Sequence, residues 1–151
     1  MKPKTKKILL IILFALVLIQ FVPIDRTNPP VTAKVNWDSE FTEATFKKAC
    51  ADCHSNETKW PWYSYIAPVS YLIVYDVNQG RNYLNVSENK EDERDEAARE
   101  VRRGTMPMKI YTVMHGESNL NDSDRVRFIE GLMKTFGDND KKDEKYKNQY
   151  N

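Results

Sequence analysis

Three of the chain's four cysteine and histidine residues stand together as Cys50-Ala51-Asp52-Cys53-His54. Two thiols at i and i+3 share one face of a helical turn. Both can therefore add to the two vinyl groups of a single protoporphyrin and form thioethers, while the histidine that follows is held below the iron as an axial ligand. The spacing predicts covalent haem c, one per chain, with Cys50 and Cys53 binding the porphyrin and His54 the metal. Other chemistries use the same residue types. A thiol-disulfide centre normally opens a helix after a strand, and no strand pattern precedes Cys50. A disulfide between the two cysteines would close a tiny loop and stabilise little. A zinc site would need His54 and His115 as well, and the adjacent Cys53 and His54 cannot easily both face one tetrahedral ion.

An electron-transfer haem generally carries a second axial ligand, and the candidates are Met106, Met108, Met114 and His115. Met106 is the expected metal ligand. Gly104 can release the preceding helix and Pro107 stiffens the loop, which presents the thioether at low entropic cost. Met114 and Met133 read as core packing, and His115 as a surface or loop histidine. Trp60, Trp62, Tyr63, Tyr65 and Tyr71 follow the attachment motif. Most of them belong to a core, and Trp60 or Trp62 is expected to wall the haem and donate its N–H to a propionate.

These side chains need elements to position them, and the periodicity is helical throughout, with no alternating strand pattern and no internal repeat. A first helix is predicted from Asp38 to Cys53, with Asp38 or Ser39 as N-cap. A second opens at Pro68 and closes at Gly80 in a left-handed cap. A third runs from about Glu91 to Arg103, acidic at its start and basic at its end, the charge order that the helix dipole favours. After a loop over residues 104–120, Asn121 or Asp122 caps a last helix with Val126, Ile129, Leu132 or Met133, and Phe136 on its apolar face, stopped by Gly137. The charge run from Glu88 to Glu100 reads as a solvated helix face. The fold class is all-α.

At 151 residues the chain has room for one small domain. Its 23 basic and 22 acidic side chains nearly balance, which excludes a nucleic-acid binder with a basic stripe. With the four leading lysines Lys2, Lys4, Lys6 and Lys7 set aside, 19 basic and 22 acidic side chains remain, a net of −3. Those lysines precede an apolar run, Ile8 to Val22, broken only by Gln20. Phe21-Val22-Pro23-Ile24-Asp25-Arg26 offers no small-residue cleavage site, so residues 1–24 read as a retained single-pass membrane anchor. The lysines place the N-terminus in the cytoplasm and the rest in the periplasm, at the inner membrane. Residues 25–36, with Asn28-Pro29-Pro30, read as an extended linker; residues 37–137 form the haem-binding domain; residues 138–151 are a polar tail expected to be disordered.

The stretch from Cys50 through Trp60-Pro61-Trp62-Tyr63 to Ser70 closely resembles the bacterial haem-binding domain family, single-haem cytochrome-c-like proteins usually found behind an N-terminal membrane helix. Asp76, Gly80-Arg81, Leu84-Asn85, Gly104-Thr-Met-Pro107, Tyr111, His115 and Leu120 extend the resemblance over roughly residues 28 to 135. Gly104-Thr-Met106-Pro107 is also similar to the loop that supplies the distal methionine in class I cytochromes c. The resemblance implies a class I cytochrome c-like domain. This chain departs from the family pattern in having Met108 after Met106-Pro107 and Gly116 after His115, where proline is commoner. The function expected from these readings is a membrane-anchored electron carrier between periplasmic or membrane redox proteins, not an enzyme. The alternatives are a haem-based sensor or peroxidase with a labile distal ligand, and a thiol-disulfide oxidoreductase.

Overall fold

The computed structural model describes residues 2–90 and 92–137. Among the described residues seven α-helices follow in chain order: α1 Pro3–Leu18, α2 Glu40–Ala49, α3 Ala51–His54, α4 Val69–Tyr83, α5 Ala97–Arg103, α6 Lys109–Met114 and α7 Asp122–Phe136. Among the described residues there is no strand, so the all-α expectation holds. The polar tail predicted over residues 138–151 lies outside the described residues, as does Glu91, the expected start of the third helix.

The core forms where α7 crosses α2 and α5. Phe46, Phe128 and Leu132 are fully buried there, with Leu84, Ala98, Val101 and Leu120 around them. Trp37 lies 5.0 Å from the Phe46 ring and 5.4 Å from that of Phe136, closing the base of this cluster. The α7 face that packs is Phe128, Gly131 and Leu132; Val126, predicted on it, is exposed, and Ile129 and Phe136 lie at its edge. Gly131 decides the register. A Cβ there would meet the Thr42 Oγ1 of α2 at 2.0 Å, so the closest approach of the two helices centres on it.

Helix ends follow local chemistry. Ser39 and Asn121 accept from the third backbone N–H of α2 and α7, and Gly104 ends α5 with φ 72°. The first predicted helix is broken at Cys50 (φ −131°), which ends α2 and begins the single turn α3. The third begins later than predicted, because Asp92 accepts from both Asn85 N and Arg94 N, which holds the chain in a turn until the 3-10 segment Arg94–Glu96. The predicted loop over residues 104–120 contains α6 and a 3-10 turn at Gly116–Ser118. Gly80, expected as a left-handed cap, lies instead inside α4, which continues to Tyr83.

The N-terminal expectations change in two respects. No helix among the described residues is long and apolar enough to cross a membrane. The 16 residues of α1 rise about 24 Å, short of the ~30 Å hydrocarbon core, before the chain tightens into the 3-10 turn Ile19–Phe21. No residue of α1 is buried. Residues 25–36 form no helix or strand and are bound along the domain. Asn28 Nδ2 donates to Thr58 O, Asn56 Nδ2 donates to Pro30 O, and the N–H groups of Thr32 and Ala33 donate to Ser87 O. Arg81 ties this segment down by donating to Thr27 O, Asn28 Oδ1, Ser55 O and Thr58 Oγ1.

Candidate haem site

The turn α3 is held from outside by α4. Val86 N donates to His54 O, and the imidazole Nδ1 lies 3.0 Å from Gly80 O and 3.1 Å from Leu84 O. Two carbonyl acceptors can be satisfied only by a protonated Nδ1, so the tautomer is set and Nε2 keeps its lone pair. Burial lowers the His54 pKa against the raising effect of the two carbonyls, which keeps the ring neutral. A neutral imidazole with its far nitrogen tied to backbone oxygen is the arrangement of a metal-ligating histidine.

Such closeness between α3 and α4 requires Gly80. A Cβ at this position would meet the Cys53 carbonyl oxygen at 2.5 Å and the Cys53 Cβ at 3.0 Å. Both are near the backbone and cannot swing aside. Gly80→Ala is therefore expected to push α4 off the Cys-x-x-Cys-His turn at a cost of about 1–3 kcal/mol or more, seen as a lower thermal midpoint and poorer haem incorporation. An unchanged melting curve would contradict this account.

Cys50, Cys53 and His54 open on a cavity of about 410 Å³, within the ~300–1,000 Å³ of small-molecule and cofactor sites. Phe46, Leu84, Val101 and Leu132 form its apolar wall, and Met106, Pro107 and Met108 lie on its lining too. Both cysteines are free thiols. Burial pushes each up to about 12, with Cys53 and Asp52 adding smaller contributions at Cys50 and Cys53 respectively. Met106 is tied to the end of α5: Met106 N and Thr105 N both donate to Glu100 O, and Thr105 Oγ1 donates to the Glu100 carboxylate at 2.6 Å. The structure thus brings together Cys50, Cys53, His54 and Met106, four of the six residues predicted for the site.

It does not bring Trp60 or Trp62 to the cavity. Neither lies on its lining, and Trp62 is 73% exposed. The Trp60 Nε1 is buried and makes no hydrogen bond among the described residues. The two tryptophans flank Pro61, which is extended (φ −73°, ψ 161°), and the 3-10 segment Trp62–Tyr65 begins directly after it. The lining rings are Phe46, Tyr83 and Tyr111.

His115 is occupied elsewhere. Its Nε2 pairs with the Tyr63 hydroxyl at 2.7 Å, its Nδ1 lies 3.4 Å from Glu117, and its ring stacks on Tyr111 with centroids 4.3 Å apart. Tyr111 in turn donates to Asp52 Oδ2 at 2.8 Å, which joins α6 to the residue between the two cysteines. Burial, then this hydrogen bond, raises the Tyr111 pKa, so the phenol stays protonated. Tyr111→Phe keeps the stacking and loses the bond to the carboxylate. It is expected to cost about 1–2 kcal/mol in denaturant unfolding, and equal midpoints for the two proteins would refute the tie. Sequence reasoning assigned no role to Asp52, and to Tyr111 only a place in the family pattern, because 59 residues separate the partners.

The residues present fit a haem. The cavity lining includes two thiols, a neutral imidazole with a free nitrogen, a thioether on the loop after α5, and apolar side chains. Comparison with curated proteins and with solved structures gives no match. The model of the haem-binding domain family matches residues 14–134, which include all of these groups, and the chain accordingly belongs to the haem-binding domain family.

Proposed function

We propose that the chain is a membrane-attached c-type cytochrome with one covalent haem, carrying single electrons between redox partners on the periplasmic side of the inner membrane and turning over no substrate. The observation that carries this reading is the pair of carbonyls on His54 Nδ1, which leaves the Nε2 lone pair free to ligate a metal in the cavity shared with both cysteines and Met106. When bound, the haem supplies a one-electron couple at its iron.

The protein's part is attachment, orientation and exclusion of water. Cys50 and Cys53 would hold the porphyrin by thioethers, each thiol adding its S–H across a vinyl group, and so offset the small core of a domain this size. Gly80 O and Leu84 O orient the proximal imidazole and raise its basicity. Glu100 holds the loop that presents Met106, and thioether ligation in an apolar cavity favours the reduced state. A thiol-disulfide centre normally opens a helix after a strand, and among the described residues no strand precedes Cys50, which argues against the thiol-disulfide oxidoreductase. The four lysines before an apolar helix with no buried residue support attachment to the membrane by residues 8–22. A class I cytochrome c-like arrangement is part of the same proposal.

Absorption spectra of the oxidised and reduced protein, made with haem-attachment machinery, test it together with the intact mass. The expected result is a low-spin spectrum, no binding of carbon monoxide to the reduced protein, and the mass of one haem. A five-coordinate spectrum with rapid carbon monoxide binding would replace the electron carrier by a sensor or peroxidase. A colourless protein with two free thiols would end the haem reading.

A further inference from the structure

Gln20 lies inside the apolar run, two residues before its end. Its carboxamide is bound to the domain: Nε2 donates to Ala67 O at 3.0 Å, and Ala67 N donates to Oε1 at 3.0 Å. The side chain thus takes both backbone hydrogen bonds of one residue, Ala67. A little further along, Arg26 donates to Ser64 O at 3.3 Å and lies over the Tyr65 ring, 4.5 Å from its centroid. The domain is therefore clamped at the level of the apolar segment rather than beyond its end.

A medium that reaches Gln20 must also reach the side chains beside Ala67. These are large, apolar or aromatic, and exposed: Trp62, Tyr65 and Ile66 before it, Val69 and Leu72 on α4 after it. Val69 and Leu72 continue around an apolar groove to Ile110 and Met114 of α6, and Val113, next to Met114, is 80% exposed. Patches of this extent on a soluble surface mark an interaction site.

We propose that this face, from Trp62 to Leu72 and across to α6, is a lipid-contacting surface, so that the domain lies on the bilayer at the headgroup and acyl boundary. The inference rests on the membrane attachment proposed above and specifies which side of the domain meets the lipid. Tryptophan and tyrosine favour that boundary, where the ring is apolar and its polar atom stays wet. The 15-residue apolar run is short against the ~20 residues a spanning helix needs. A short hydrophobic segment draws its flanks toward the bilayer, and here the flank is clamped to the domain. Lys59, on the groove, and Lys109, at the start of α6, place ammonium groups within reach of lipid phosphates.

The test uses the full-length holoprotein in vesicles of phosphatidylcholine and phosphatidylglycerol that contain a phospholipid with a diazirine high on its acyl chain. Tryptic peptides are read by mass spectrometry after illumination. The sequence yields peptides 8–26, 60–81, 110–125 and 128–134. Label is expected on 8–26, 60–81 and 110–125, with 128–134, from the core helix α7, clean. Gln20→Ala should lower the label on 60–81 several-fold, leaving that on 8–26 and the haem spectrum unchanged. Label confined to 8–26 would overturn the lipid-facing surface and leave membrane attachment standing. Absence of label from 8–26 would overturn attachment, and the surface with it.

Discussion

Replacing Cys50 and Cys53 together by alanine is expected to give a protein with no covalent haem and no cooperative melting transition. Both thiols lie on the cavity of about 410 Å³ that α2, α4, α5 and α7 share. At ~24 cal/mol per Å³ of unfilled apolar volume, losing its filling costs up to about 10 kcal/mol. That is comparable with the whole ~5–15 kcal/mol stability of an ordinary domain. Leu84, Val101 and Leu132 face the cavity and are also members of the core, so no separate core would survive to hold the fold. Circular dichroism melts and intact mass check both halves of the prediction. A double variant that lacks haem yet melts cooperatively near the temperature of the native protein would mean that the core is self-sufficient and that the cysteines only decorate it.

Met106→Ala should abolish the weak near-infrared sulfur-to-iron band of the oxidised protein and let the reduced protein bind carbon monoxide. The potential should fall by on the order of 0.1 V, within the ~0.8 V range that axial ligands command. Met106 lies on the cavity lining and is tied at Glu100 by its own N–H and by its neighbour Thr105. Because it also packs against the core, Met106→Leu is the companion variant. Leucine keeps the apolar volume at a cost below about 1.5 kcal/mol but brings no sulfur, so it should lose the band and still fold. His115→Ala should keep the band, since both nitrogens of His115 are engaged outside the cavity, by Tyr63 and Glu117. Met108 shares the cavity with Met106, and Met108→Ala is the decisive control. A band lost with Met108→Ala and kept with Met106→Leu would transfer the ligand role to Met108.

The chemistry of this protein is local in sequence, and that is why it could be read there. Cys50, Cys53 and His54 lie within five residues, and the spacing of a helical turn alone brings them together. The helix caps at Ser39, Gly104 and Asn121 are equally local, since each is satisfied by backbone within a few residues. The tertiary structure decided everything that depends on pairs far apart in the chain. Gly80 reads as a helix stop on the basis of its backbone freedom, yet it lies inside α4 because its missing side chain makes room for the Cys53 carbonyl. The tautomer of His54 depends on carbonyls 26 and 30 residues away, which no side-chain pattern records. Trp60 and Trp62 have the composition of a haem wall, but the packed helices line the cavity with Phe46, Tyr83 and Tyr111 instead. The linker's prolines predict extended chain, and only the assembled domain, through Arg81, Asn56 and Ser87, determines that this chain is bound along its surface. Side-chain type and short spacing determine what a residue can do; which residue does it depends on hydrogen bonds and close approaches that exist only after the helices have packed.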